Sequence, residues 1–179
     1  MKNLFLTLIV MLFTICLLSA EMVYSDSLLM AAKNGDSAAQ NNLGIAYSDG
    51  IGVEIDNSEA FKWFKASADQ GNPEALYNLG IMYYDGLGAE LDIDEALACW
   101  ELSAQQGNTS AMNALGDMYF DGVDVAEDYE QAIFWWLVAV EFDDYEAMGK
   151  IDVFLSEIGD FDGLGIEERV KQWMEKFTP

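Results

Sequence analysis

Apolar residues in this chain recur at helical spacing, and the whole pattern repeats every 36 residues. Ala75, Leu79 and Tyr83 stand at i, i+4 and i+8, so they share one face of a helix. Leu43 and Tyr47 hold the matching places one unit earlier, and Leu115 and Tyr119 one unit later. A second stripe follows in each unit: Ala60, Phe64 and Ala68, then Ala96, Trp100 and Ala104, then Ala132, Trp136 and Val140. Between the stripes lie Asp49-Gly50, Asp85-Gly86 and Asp121-Gly122, whose glycines can take the left-handed backbone that closes a helix. The pattern predicts one helix pair per unit, with units at about 36–71, 72–107 and 108–143 and a degenerate fourth over 144–179.

The helix starts are marked as well. Asp56, Asp92 and Asp128 precede Glu59, Glu95 and Gln131 by three residues. That spacing predicts a capping box, in which each side chain satisfies a backbone donor of the other residue. Asn72 and Asn108 predict caps for the next first helices, with Pro73 in a first turn that suits it. Gly44, Gly80 and Gly116 fall inside the first helices, where glycine costs about 1 kcal/mol relative to alanine. Its return in every unit predicts a close helix crossing. Residues 24–34 read as a single closing helix carrying Leu28 and Ala32. Ala147 and Ile151 continue the first-helix face, and Ile166–Phe177 reads as a last helix with Val170, Trp173 and Phe177 on one side. Terminal units of a stack are expected to be atypical, since they present one face to water.

The string from Ala75 to Gly88, Ala-Leu-Tyr-Asn-Leu-Gly-Ile-Met-Tyr-Tyr-Asp-Gly-Leu-Gly, resembles the Sel-one-like repeat, a relative of the tetratricopeptide repeat. The resemblance covers residues 36–143 as three full units. It implies an all-α, right-handed solenoid of helix-turn-helix repeats acting as an adaptor or scaffold, often in exported bacterial proteins. Some members are cysteine-rich, with a disulfide in each repeat and an association with β-lactam binding. Here the only cysteines are Cys16 and Cys99, and that activity is not carried over.

Charge narrows the partners. Thirty-two Asp and Glu against eight Lys and Arg give a formal net charge of -24, while 52% hydrophobic residues exclude a disordered acidic tail. Such a field excludes nucleic acid and disfavours anionic membrane surfaces. It favours a basic or neutral protein or peptide, although acidity would also serve simply to keep an aromatic-rich stack soluble. Lys2, the apolar run Leu4 to Leu18, and the small residues Ser19 and Ala20 predict a signal peptide over residues 1–25. The mature chain is then expected to begin between Glu21 and Asp26, in the periplasm or outside the cell, with no membrane insertion. An uncleaved anchor is the alternative; a lipid-bearing Cys16 is a poorer fit, because Ile15 precedes it. After cleavage Cys99 would stand alone, unable to form an intramolecular disulfide.

The chain contains no histidine, which removes the usual general base, metal ligand and nucleophile activator. Cys99, beside Trp100, reads as a packed small hydrophobe, and zinc lacks its ligands. Asp143 with Glu146, and Asp160 with Asp162, could in principle do acid–base work, but each pair reads as a solvated turn. Gly159-Asp160-Phe161-Asp162-Gly163 fits a calcium loop poorly, because Ile158 and Arg169 would fall at ligand positions. No catalysis, metal or cofactor is expected.

By resemblance to the tetratricopeptide repeat, the first helices line an inner groove. The face beside their core stripe carries Asn41, Ile45 and Ser48, then Tyr77, Ile81 and Tyr84, then Asn113, Asp117 and Phe120. Exposed Tyr, Phe and Ile in one stripe is interface composition. Asn41, Ile45, Tyr77, Ile81, Tyr84, Asn113, Asp117 and Phe120 are therefore the expected partner-binding residues, and neighbouring units or the end helix are what could cover them instead. The convex face around Trp63 and Trp135 is the second candidate surface. Asn42 and Asn78 match a place where tetratricopeptide relatives hold a peptide carboxylate, but Glu74 and Tyr77 stand where lysines would complete that clamp. The reading is a non-catalytic protein–protein interaction module or adaptor in the bacterial envelope. The alternative is an enzyme-like binder of a cell-wall or β-lactam-type ligand.

Overall fold

The computed structural model describes residues 25–158 and 165–178. The expected signal peptide and the Asp160/Asp162 turn lie outside the described residues. Those described form nine α-helices and no strand: α1 (Asp26–Lys33), α2 (Ser37–Asp49), α3 (Asn57–Ala68), α4 (Pro73–Asp85), α5 (Ile93–Ala104), α6 (Thr109–Asp121), α7 (Tyr129–Glu141), α8 (Tyr145–Ile158) and α9 (Ile166–Phe177). Each helix from α1 to α7 packs on its successor, and α9 turns back onto α7. The result is an all-α solenoid.

Local chemistry sets the boundaries. Asp36, Asn72 and Asn108 cap α2, α4 and α6, their side chains accepting from the backbone N–H of Ala39, Ala75 and Ala111 at 2.8, 3.1 and 2.9 Å. Gly50, Gly86 and Gly122 close those helices with φ of 72°, 66° and 60°, a region costly for any residue with a Cβ. The second helices keep only half of the expected capping box. Asp56, Asp92 and Asp128 accept from Glu59, Glu95 and Gln131 N–H as expected. Their own N–H groups, however, donate 2.9 Å to the carbonyls of Tyr47, Tyr83 and Tyr119. With that donor satisfied by the preceding helix, the return bond has nothing left to serve, and Glu59 pairs with Lys62 instead. Each second helix is thus anchored to the last turns of its first.

The core follows the two stripes. Ala60, Phe64, Ala96, Trp100, Ala132 and Trp136 are buried, as are Leu43, Ala75, Leu79 and Leu115. Val140 is only half-buried, so the third stripe ends a turn early. The glycine in each first helix lies under the large ring of its partner helix. A Cβ at Gly44 would come within 2.6 Å of the Phe64 ring, and one at Gly80 or Gly116 would collide with the indole of Trp100 or Trp136. The glycine's propensity cost is thus exchanged for aromatic packing.

At the C-terminal end the stack is aromatic. Trp135 is buried and meets Phe134 and Trp173 edge-on at 5.1 and 6.0 Å. Trp173 also contacts Phe142 and Phe177. This corrects the expectation of a convex surface at Trp135, because the returning helix α9 covers it. Trp63 stays half-exposed, packed beside the N-terminal cluster of Ala32, Ala39 and Leu43.

Candidate partner-binding groove

The first helices α2, α4, α6 and α8 present one continuous face marked by four hollows. Ile45, Ser48, Asn78, Ile81 and Leu87 line the first, of about 390 Å³, between α2 and α4. Tyr84, Asp121, Val123 and Asp124 line the second, over Trp100 and Met118. A polar recess with Tyr77, Asn113 and Asp117 follows. The fourth, about 340 Å³ and mainly apolar, is formed by Phe120, Trp136, Val153 and Phe154.

Seven of the eight expected partner-binding residues line these hollows: Ile45, Tyr77, Ile81, Tyr84, Asn113, Asp117 and Phe120. Their exposure differs from expectation. Asn41 and Asn113 are buried, not displayed, because each is used between units. Asn41 accepts from Asn78 Nδ2 at 3.1 Å, and Asn113 donates to Asp144 at 3.0 Å. Asn41 therefore lies beneath the groove as a tie. Phe120 is half-buried, its ring against Tyr129, Trp136 and Phe154. Here the end helix α8 supplies the cover.

Tyr84 is the most exposed of the expected anchors, at 36%. Its ring leans on Trp100 at 5.7 Å, and the carboxylate of Asp124, beside its hydroxyl, pushes the phenol pKa up. Burial, with Glu146 nearby, does the same for Tyr77. Both side chains remain neutral donors across ordinary pH. Lys150 is the single cation lining the hollows among the described residues, and it is held by Asp117 at 2.7 Å and Glu146 at 3.3 Å. The remaining charges of the lining, including Asp49, Asp121 and Asp124, are acidic.

Sequence reasoning missed the contribution of α8. Lys150, Val153 and Phe154 complete the groove, yet only Ala147 and Ile151 were legible there as a continued core face. Phe154 is 1% exposed and falls seven residues after Ala147, on the same helix face, which was the available signal. Of the Asp143/Glu146 pair, Asp143 sits exposed in the turn with φ of 61°, and Glu146 is committed to Lys150. No cluster of potential metal ligands occurs among the described residues. Cys99 is buried, and burial pushes its thiol up to about 11, so it packs as a hydrophobe.

The fold is that of a tetratricopeptide-like helical solenoid. The chain belongs to the Sel1 repeat family, whose repeat matches residues 37–72, 73–108 and 109–141. Sel1 repeats are protein-interaction scaffolds and are not typically catalytic. A solved relative is c5321, described as a protective antigen present in uropathogenic Escherichia coli strains and displaying an SLR fold. It superposes with a TM-score of 0.71 and 32% identity, over 84% of this chain and 32% of its own. A Sel1 repeat protein from Oxalobacter formigenes gives a TM-score of 0.66 and 34% identity, over 79% of this chain and 57% of its own. A putative sel1-like repeat-containing protein, L21 of Acanthamoeba polyphaga mimivirus, is 51% identical over 39 residues, which is 22% of this chain and 7% of that protein. The chain therefore spans less than two thirds of each of these relatives.

Proposed function

We propose that this chain is a non-catalytic adaptor of the bacterial envelope that holds a basic or neutral segment of another protein along the α2–α4–α6–α8 face. The observation that supports this most is the row of hollows itself. Ile45 and Ile81 share one depression, Tyr84 and Phe120 line two more on the same face, and apart from Lys150 the surrounding charge is acidic. Amphipathic aromatic side chains at a recessed site are the usual anchors of protein interfaces. Acidic surroundings steer a basic partner toward them and speed its arrival.

The location rests on sequence. Lys2 and the apolar run Leu4 to Leu18 have the form of an export signal, which supports a mature protein beginning between Glu21 and Asp26, in the periplasm or outside the cell. N-terminal sequencing of envelope material tests that part; recovery of intact Met1 in a membrane fraction indicates an anchor. Co-purification from envelope extract with mass spectrometry tests the binding role. One stoichiometric protein, eluted by raised salt, is the expected result. A glycan or small molecule bound in its place contradicts the reading.

A further inference from the structure

The first, second and fourth hollows are one place met in three successive units. The floor of each is the ring that lies over the first-helix glycine: Phe64, Trp100 or Trp136. Ser48, Tyr84 and Phe120, each four residues after that glycine, form one wall. Met82, Met118 and Phe154 of the next first helix form the opposite one. The turn beyond adds Leu87 to the first hollow and Val123 to the second, 38% and 80% exposed. Neither side chain joins a core cluster, so what each supplies is an apolar rim.

The chemistry changes at one repeated place. Ile81 in the first hollow and Val153 in the fourth are matched in the second by Asp117. Asp121 and Asp124 lie beside it, and no described cation pairs with either. In the fourth hollow, by contrast, Asp117 and Glu146 are taken up by Lys150. The first and fourth hollows therefore suit apolar side chains. In the second, an apolar floor of Trp100 and Met118 under an acidic edge suits a long stem with a cationic end. Spacing follows from the helices. Asn41 meets Asn78 at 3.1 Å and Lys150 meets Asp117 at 2.7 Å, joining α2 to α4 and α6 to α8. Helices in such contact lie about 8–10 Å apart. A polyproline-II chain returns to the same face every third residue, about 9 Å further on. Unbound chains already populate that form, and aromatic-lined grooves dock it. Resting on the groove reading above, we propose that the bound segment is a polyproline-II stretch read in steps of about three residues. An apolar side chain enters the first hollow, a lysine or arginine the second, and another apolar side chain the fourth.

The test selects a random nonapeptide library on the immobilised full chain. Enriched peptides should share an apolar residue, then Lys or Arg about three residues later, then a second apolar residue after the same interval. Val153→Asp gives the fourth hollow the carboxylate of the second, at a residue 56% exposed and so of little consequence for folding. Selection on that variant should turn one apolar end basic, and the original peptides should bind it at least roughly tenfold more weakly. Leu87→Asp, at an exposed turn, makes the same change in the first hollow and should act at the other end. No enrichment, or a helical spacing of about seven residues, overturns the proposal. So does selection of the same peptides by wild type and both variants. The two readings fail separately. Peptides weakened by Tyr84→Ala but lacking the three-step spacing remove the spacing and leave the groove. Peptides that bind Tyr84→Ala, Val153→Asp and Leu87→Asp as tightly as wild type lie elsewhere and remove the groove as well.

Discussion

The second and third units have nearly superimposable plans and different wiring. In both, a tryptophan from the second helix lies over a glycine of the first, Trp100 over Gly80 and Trp136 over Gly116. Trp100 donates its indole N–H to the backbone carbonyl of Tyr77 at 3.1 Å. Trp136 donates to the side chain of Asp117 at 3.1 Å, and Asp117 in turn holds Lys150. Within the first and second units, Ser67 and Ser103 are buried and donate at 2.7 Å across the helix pair to the carbonyls of Ser37 and Pro73. The third unit has Ala139 in that place. The N-terminal stack is therefore tied by hydroxyl-to-backbone bonds. The C-terminal stack relies on aromatic packing and couples its core to groove charges. A repeat preserves the apolar scaffold while its polar positions are released for other uses.

The strongest test of that contrast is Trp136→Ala. Trp136 is 2% exposed and contacts Phe120 and Phe154, so its loss should cost about 3–5 kcal/mol and loosen the C-terminal half first. Half-exposed Trp63→Ala should cost less. Chemical unfolding of both decides it, and equal losses break the contrast. Next in size is Gly116→Ala. The new Cβ collides with the Trp136 indole, so overpacking of about 1–3 kcal/mol is expected. Gly149→Ala in α8 meets nothing within 4 Å and should stabilise by up to about 1 kcal/mol, read as a rise in melting temperature.

Ser103→Ala comes third. Removing a single buried hydroxyl bond should cost about 0.5–1.5 kcal/mol, and hydrogen exchange should report the loss at the α4–α5 junction. The smallest effect concerns Cys99. Its thiol is pushed from 9.0 up to about 11, so the folded state holds that proton more tightly than the unfolded state does. Stability then falls as pH rises from about 9 toward 11, with slow alkylation at pH 8. Rapid labelling of the native protein at pH 8 would show that the site opens.

Much of this was legible because the sequence repeats. A 36-residue period fixes helix order, caps and the glycine-under-ring crossings, since each depends on residues within one unit. What was not legible depended on contacts between units. Asn41 and Asn113 fall on the helix face beside the core stripe, and only the neighbouring unit turns them into buried ties. Trp135 read as convex surface until α9 folded back over it, a contact made by a helix that lies outside the three full units. Ser67 and Ser103 repeat at the period as polar residues beside a core stripe, a signal that was available in the sequence.

The groove is the central claim, and Tyr84 is the residue that tests it most cleanly. Being 36% exposed, it can be truncated with little damage to the core, unlike half-buried Tyr77. The decisive measurement is surface-immobilised binding of the co-purified partner to wild type, Tyr84→Ala and Tyr77→Ala, at low and high salt, with helicity checked in parallel. Both variants should weaken capture at least roughly tenfold, equivalent to about 1.4 kcal/mol, and raised salt should slow association with the wild type. Folded variants that bind as tightly as wild type, with no salt dependence, would contradict the account and leave the half-exposed Trp63 surface as the place to look.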